Sequence, residues 1–446
     1  MYRIGGPAVA ALLVAPWLWA NDAPQPAGKP KKEAVEKTIQ ELGAESYKVR
    51  NGAVKALERF GPDVLPFLKE AFRKSDDPEV RRRIEDMLPG MEHAAALSPT
   101  RITLSFKDKP VKEVIAELSK QSGYKFDLSP QGDQREKKQV TLEMKDAPFW
   151  IALDRVCATC GLYFQEGWYG GDQASLRLEY GEATNAPGLM YFDGPFRVSA
   201  RGFNYSRNVD FLNGPRRVGP QGAAPQLVQR SETLQMNISI SVEPKLPLLS
   251  VNQPNITEAA DENNQSLIPP NQGQTHYSYY HGYRSFTHQV QAQLTPSKDG
   301  KTIKSLKGTI PVTAISAQRE KLVIEKIMDV KNKSFQAGNT TVNVESVTRS
   351  GEEIEIRLNV TEGAEKGGPN NMRANTLNQR FGLFDEKGTK FYGYFSRWTG
   401  QGNGGGGTMR FHNNGQNVGD PVRLVLYEWT TVSHAVPFEF KELPLP

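Results

Sequence analysis

RITLSFKDKPVKEVIAELSKQSGYKF, residues 101–126, is followed by QVTLEMKDAPFWIALDRVCATCGLYF, residues 139–164, and the second line repeats the programme of the first 38 residues later. Thr103, Leu104, Lys107, Asp108, Pro110, Gly123 and Phe126 recur as Thr141, Leu142, Lys145, Asp146, Pro148, Gly161 and Phe164. Ile102 to Phe106 alternates apolar and polar residues with the period of a strand. From Val111 the apolar positions Val114, Ile115 and Leu118 take up helical spacing. Lys-Asp-x-Pro reads as a turn with proline beside the helix start, where a missing N–H does no harm. Each glycine suits the left-handed position that ends a helix. Residues 101–180 are therefore expected to form a small module of two β–α–β halves.

That repeat of strand, Lys-Asp-x-Pro, helix, glycine and strand resembles the secretin and TonB short N-terminal domain. The resemblance implies a module of the bacterial envelope that binds other envelope proteins and does not catalyse. It carries over no ligand-contacting residue, and neither a secretin barrel nor a receptor plug follows.

On the N-terminal side, Val49, Ala53, Val54, Leu57 and Phe60 trace one helical stripe, and Val64 to Phe72 a second after Gly61-Pro62. Val49-Arg50 returns as Val80-Arg81, and residues 39–95 resemble short HEAT-like repeats, which imply a helical segment that docks or binds a partner. Further upstream, residues 1–20 read as a secretory signal, with Arg3 before the apolar run Ala8 to Ala15, and residues 21–38 as a flexible linker. The apolar run is shorter than the ~20 residues that cross a bilayer, and no cysteine for lipid attachment lies near the cleavage site. The expectation is an exported chain, periplasmic or extracellular, without a membrane span in its mature form.

On the C-terminal side the pattern is β-rich. Residues 234–242, 340–347 and 353–360 alternate strictly, with turn clusters such as Ser297-Lys298-Asp299-Gly300 and Asp385-Glu386-Lys387-Gly388 nearby. Short alternating strands suggest antiparallel sandwich packing, with a β-rich domain at residues 190–318 and a C-terminal β-sandwich at 320–446, and the diffuse likeness of residues 299–446 to uncharacterised exported bacterial proteins brings no activity. Residues 252–274 read as a long loop and Gly404 to Gly407 as a hairpin tip. The fold class is thus multidomain α+β.

Across all 446 residues, 38% hydrophobic content with 40 glycines and 30 prolines excludes collagen, a polytopic membrane protein and a wholly disordered chain. A net charge of +5, from 55 basic and 50 acidic residues, gives no argument for nucleic acid. Chemistry has few residues to use. Cys157 and Cys160 stand at a helix end, where the dipole works against thiolate formation, so they are read as a local disulfide or as half-buried thiols. Histidines lie more than 60 residues from that pair, which leaves zinc short of ligands. Tyr277, Tyr279, Tyr280 and Tyr283 are candidates for stacking on a carbohydrate, against the plainer reading of a strand packing its aromatics. With no nucleophile, metal or phosphate-loop motif, the expected role is binding to an envelope or extracellular protein, with no catalytic residue, metal or cofactor. Its rivals are an enzyme whose site is assembled in the β region and a structural component of a surface layer.

Overall fold

A computed structural model describes residues 30–129, 137–166, 175–181, 188–211, 228–270, 278–363, 377–401, 404–413 and 418–446. The chain divides into two compact units, residues 1–95 and 96–446. The reading of residues 1–20 as a signal lies outside the described residues.

The first unit is helical. Helices α1 (Lys32–Glu41), α2 (Tyr47–Phe60), α3 (Leu65–Lys74) and α4 (from Pro78) close on Val35, Leu42, Leu57, Leu68 and Ile84. Helix α1 begins inside the stretch read as linker, because KEAVEKTIQE joins strong helix formers to a Val35/Ile39 stripe. Asp77 accepts the Glu79 N–H at 2.8 Å and so caps α4, with Pro78 at its first position. Val49 departs from the expected stripe, being 42% exposed, whereas its repeat partner Val80 is buried.

In the second unit, residues 101–180 form β1 (Arg101–Pro110), α5 (Val111–Ser122), β2 (Lys125–Leu128), β3 (Gln139–Pro148), α6 (Phe149–Cys160), β4 (Leu162–Phe164) and β5 (Ser175–Tyr180). Strands β1 and β3 pair antiparallel, β5 joins β2 to β4, and both sheets share one core with both helices. The Lys-Asp-x-Pro steps are β-bulges and not the expected turns. Asp108 and Asp146 take positive φ of 48° and 50° inside β1 and β3. Each bulge is held by the threonine of the other repeat: the Asp108 N–H reaches Thr141 Oγ1 at 3.1 Å, and the Asp146 N–H reaches Thr103 Oγ1 at 3.0 Å. The local pseudo-two-fold explains why Thr and Lys-Asp recur together. Gly123 and Gly161, at φ 73° and 70°, end the helices.

Strands β6 (Met190–Asp193), β7 (Phe196–Phe211), β8 (Val228–Val242), β9 (Leu248–Asn252), β10 (Asn255–Asp261), β11 (Ser278–Ser285), β12 (Thr287–Leu294) and β13 (Thr302–Glu325) come next. After them run β14 (Lys333–Ala337), β15 (Thr340–Ser350), β16 (Glu353–Glu362), β17 (Phe381–Asp385), β18 (Tyr392–Gln401), β19 (Gly404–His412) and β20 (Pro421–Pro444). These strands contain a second internal duplication. The order β6–β7–β8–β12 in one sheet matches β14–β15–β16–β19 in another. Both opening hairpins have two-residue loops that begin with a positive-φ glycine, Gly194 or Gly338. Bulges follow Ala200 and Val344 at the same level. Asp261 and Asp385 close matching turns, accepting the Gln265 N–H at 2.8 Å and the Thr389 N–H at 2.7 Å. Their second oxygens take Ser297 Oγ at 2.7 Å and the Gly419 N–H at 2.9 Å.

Each copy has its own apolar core, one around Phe196, Ile238, Leu306 and Phe438, the other around Ile324, Leu358, Leu383 and Phe411. The last strands of the two copies, β13 and β20, pair antiparallel along their whole length, from Thr302 opposite Pro444 to Glu325 opposite Arg423. Gln318 lies in the exposed waist between the cores. Residues 432–443, expected in the second β region, bury Val432, Val436, Phe438 and Phe440 in the first. Two loop readings also change. Residues 255–261 form β10, and the Gly404 to Gly407 run opens β19, paired with Leu358 to Thr361 of β16. A Cβ on Gly404 would lie 2.5 Å from the Val360 carbonyl oxygen, so glycine there serves close backbone approach within a strand.

Candidate functional site

Cys157 and Cys160 are free thiols, both buried in the core of the 101–180 module. Three residues apart on one helix, both belong to the same buried apolar cluster. Neither the disulfide nor half-burial is observed. Burial, followed by the nearby Asp154 charge, pushes the Cys157 thiol up, and burial moves Cys160 up to about 11, so both stay protonated at neutral pH. Their repeat counterparts Ser119 and Ser122 instead donate to the carbonyls of Tyr124 and Leu118. Of the tyrosines, Tyr277 lies outside the described residues. Tyr279, Tyr280 and Tyr283 fall on β11, whose backbone pairs with β9, and their side chains lie outside what is described.

Charge concentrates where the 101–180 module meets the first β copy. Arg197 of β7 is 5% exposed and lies between two carboxylates. Its Nε faces Asp154 Oδ2 of α6 at 3.6 Å, an ion pair without a hydrogen bond, and its Nη1 donates to Glu166 beyond β4. Glu166 also accepts from Ser239 Oγ at 2.5 Å and pairs with Arg201. Burial disfavours the Glu166 charge, yet Arg197, Ser239 and Arg201 outweigh it and hold the carboxyl below its ordinary range. Asp154 goes the other way, because burial prevails over its single arginine. One helical turn earlier, Trp150 Nε1 donates to the Pro195 carbonyl at 2.8 Å. At a second point of the junction, fully buried Glu243 accepts the Thr100 N–H at 3.0 Å, Thr100 Oγ1 at 2.5 Å and Tyr124 Oη at 2.7 Å. These groups fix one body to another. Glu166 and Glu243 spend their oxygens on partners across this junction.

An open recess of about 600 Å³ borders Glu325, Asp385, Glu386 and Arg423. Despite burial, the Asp385 carboxyl is held low by the N–H groups of Gly419 and Thr389, so it serves the turn. Among the described residues, no three His, Cys, Asp or Glu side chains are grouped to hold a metal, and no helix is long and apolar enough to cross a membrane.

The most exposed apolar surface among the described residues of the second unit was not singled out by sequence. In the second β copy the β15–β16 hairpin closes at Ser350 and Glu353, level with Ser206 and Thr233 in the first. Beyond that level β7 and β8 continue as a two-stranded arm, with Arg207 opposite Glu232, Val209 opposite Arg230 and Phe211 opposite Val228. These six residues lie on the side that, nearer the body, carries core residues Leu234 and Met236. On the arm that side is bare: Phe211 is 72% exposed and Val209 43%. Both arm edges are open among the described residues, since β6 pairs with β7 only at Phe196 to Ser199 and β12 meets β8 only from Leu234 onward. The alternation of residues 205–211 was readable as a strand. Its projection was not, because it shows only against the shorter second copy.

Comparison with known proteins finds no protein-family model and no curated protein that this chain matches.

Proposed function

We propose that this chain is a non-catalytic exported protein of the bacterial envelope that acts by binding another protein, with the β7–β8 arm as its contact element. One observation carries the reading: the first β copy extends a hairpin that the second copy keeps short, and the extension exposes Val209, Phe211 and Val228 on one side. A two-stranded ribbon is marginal alone in water, and an apolar strip on it favours a covering surface. The β–α–β repeat with its matched bulges supports an STN-like module at 101–180, and the paired helices of residues 32–95 support a HEAT-like segment. The double-layered β copies support two sandwiches. In this reading the module at 101–180 is a fixed platform, since Arg197, Glu166 and Glu243 bind it to the first sandwich.

The test is affinity capture from envelope extract with the full chain and with a Val209→Ser, Phe211→Ser variant. Both positions are exposed, so the variant should keep the wild-type melting temperature and lose the captured protein. Equal capture by both would remove the arm from the reading.

A further inference from the structure

We propose that the β8 edge of the arm pairs with the same edge of a second copy of this chain, antiparallel about Ser231. The inference rests on the arm being a contact element and names its partner.

The argument is one of register and charge. A two-fold contact is self-complementary, so whatever residue i meets, that residue must meet i in return. Among the described residues, only 228–233 of β8 have a free outer edge, because β12 occupies the edge from Leu234. Along that edge Arg230 and Glu232 share a face. Glu232 is bound on one side by Arg207 at 3.1 Å, whereas Arg230 has no ion-pair partner among the described residues. Antiparallel pairing centred on Ser231 places Arg230 opposite Glu232 of the second copy, and Glu232 opposite its Arg230. A row then runs across the four strands as Arg207, Glu232, Arg230, Val209, the last two from the second copy, with alternating charge. Centring on Arg230 or on Glu232 would set like charges face to face, which destabilises cross-strand pairs. The β7 edge offers no equivalent, since the residues sharing Arg207's face there, Tyr205, Val209 and Phe211, are none of them acidic. Charge complementarity therefore selects both the edge and the register.

The pairing is short, so a weak dimer is expected, half-formed on the order of 100 µM. Sedimentation equilibrium of the full chain from about 1 µM to about 1 mM should show mass rising from monomer to dimer and no further. Arg230→Glu and Glu232→Arg should each weaken association at least tenfold, because each brings like charges together. An equimolar mixture of the two variants should regain the wild-type affinity, since each then supplies what the other lacks. A wild-type monomer throughout the range, single variants that associate unchanged, or a mixture that fails to recover would overturn the proposal. The arm reading fails separately. If the wild type stays monomeric while Val209→Ser, Phe211→Ser still abolishes capture of an envelope protein, self-pairing is wrong and the contact role stands. If that variant also captures normally, both are wrong.

Discussion

The residue that decides most in the second unit is Arg197. Its guanidinium is buried between Asp154 and Glu166, so removing either partner of the Glu166 pair leaves an uncompensated charge at the junction. We expect Arg197→Ala to destabilise the second unit by about 3–5 kcal/mol in urea melts, and Arg197→Met, which keeps apolar volume, by no less, because two carboxylates lose their counter-ion. A loss under 1 kcal/mol would mean water reaches the site. The carboxylates also shape the acid limb. Glu166 is held below its ordinary pKa of 4.5, so its stabilising contribution is present above that value and disappears as pH falls through the lower folded value. Asp154, raised above 3.8, works oppositely: it is destabilising once ionised, and acidification relieves it first. Glu166→Gln should therefore flatten the acid loss of stability, read from melting temperature between about pH 5 and 2.

Alkaline behaviour isolates a second residue. An unfolded thiol ionises near 9 and Cys160 near 11, so the folded state retains the proton longer and stability falls as pH rises from 9 to about 11. The full effect of two units is about 3 kcal/mol. Cys160→Ala should lower stability at pH 7 through the cavity it leaves, yet reduce the further loss between pH 9 and 11. An unchanged alkaline slope would show that Cys160 titrates normally.

At the scale of elements, the two bulges of the 101–180 module are built alike. Thr141 holds Asp108, and Thr103 holds Asp146, at opposite ends of the β1–β3 ribbon. Thr103→Val and Thr141→Val should each cost about 1 kcal/mol, the net worth of an ordinary hydrogen bond, and the double variant should cost their sum. A double-variant loss well above the sum would mean that the two ends are coupled through the shared core. The threonines, lysines, aspartates and prolines of this repeat were legible as a pattern. Their geometry was not, because Lys-Asp at positive φ serves a bulge as well as a turn, and only the strand opposite distinguishes them. The loop readings failed for a related reason. Glycines at 404–407 weaken a strand on their own, and the Val360 carbonyl across the ladder leaves no room for a side chain at Gly404.

For the whole molecule, connectivity and folding part company. The chain's last strand begins in the second β copy and ends in the first, so the C-terminal fifteen or so residues are core to the earlier copy. Deleting residues 432–446 removes Val436, Phe438 and Phe440 from the first core, and each is nearly or fully buried. At ~3–5 kcal/mol per large buried aromatic, Phe438 and Phe440 alone account for ~6–10 kcal/mol of the ~5–15 kcal/mol that holds an ordinary domain, and Val432, Val436 and Leu443 add to that loss. The truncated chain should therefore lose the first β copy, seen as proteolysis within residues 228–294. Protection of that region would show that its core stands without β20. By the same reasoning an excised 101–180 module exposes Trp150, Asp154 and Glu166, so it should melt below the same module in the full chain.

What the sequence determined by itself is local: helical stripes up to residue 95, the 38-residue repeat, the alternation of the β strands, and the small number of cysteines and histidines. Each of these is carried by side-chain period or by backbone preference within a few residues, and needs no distant partner to be read. The tertiary structure decided the rest. It paired β13 with β20, revealed the two β copies as one topology whose loops differ in length, buried Arg197 between Asp154 and Glu166, and left the β7–β8 arm bare. Those outcomes depend on which surfaces meet across long stretches of chain. Burial and exposure at such meetings are properties of the assembled layers, and no window of sequence contains them.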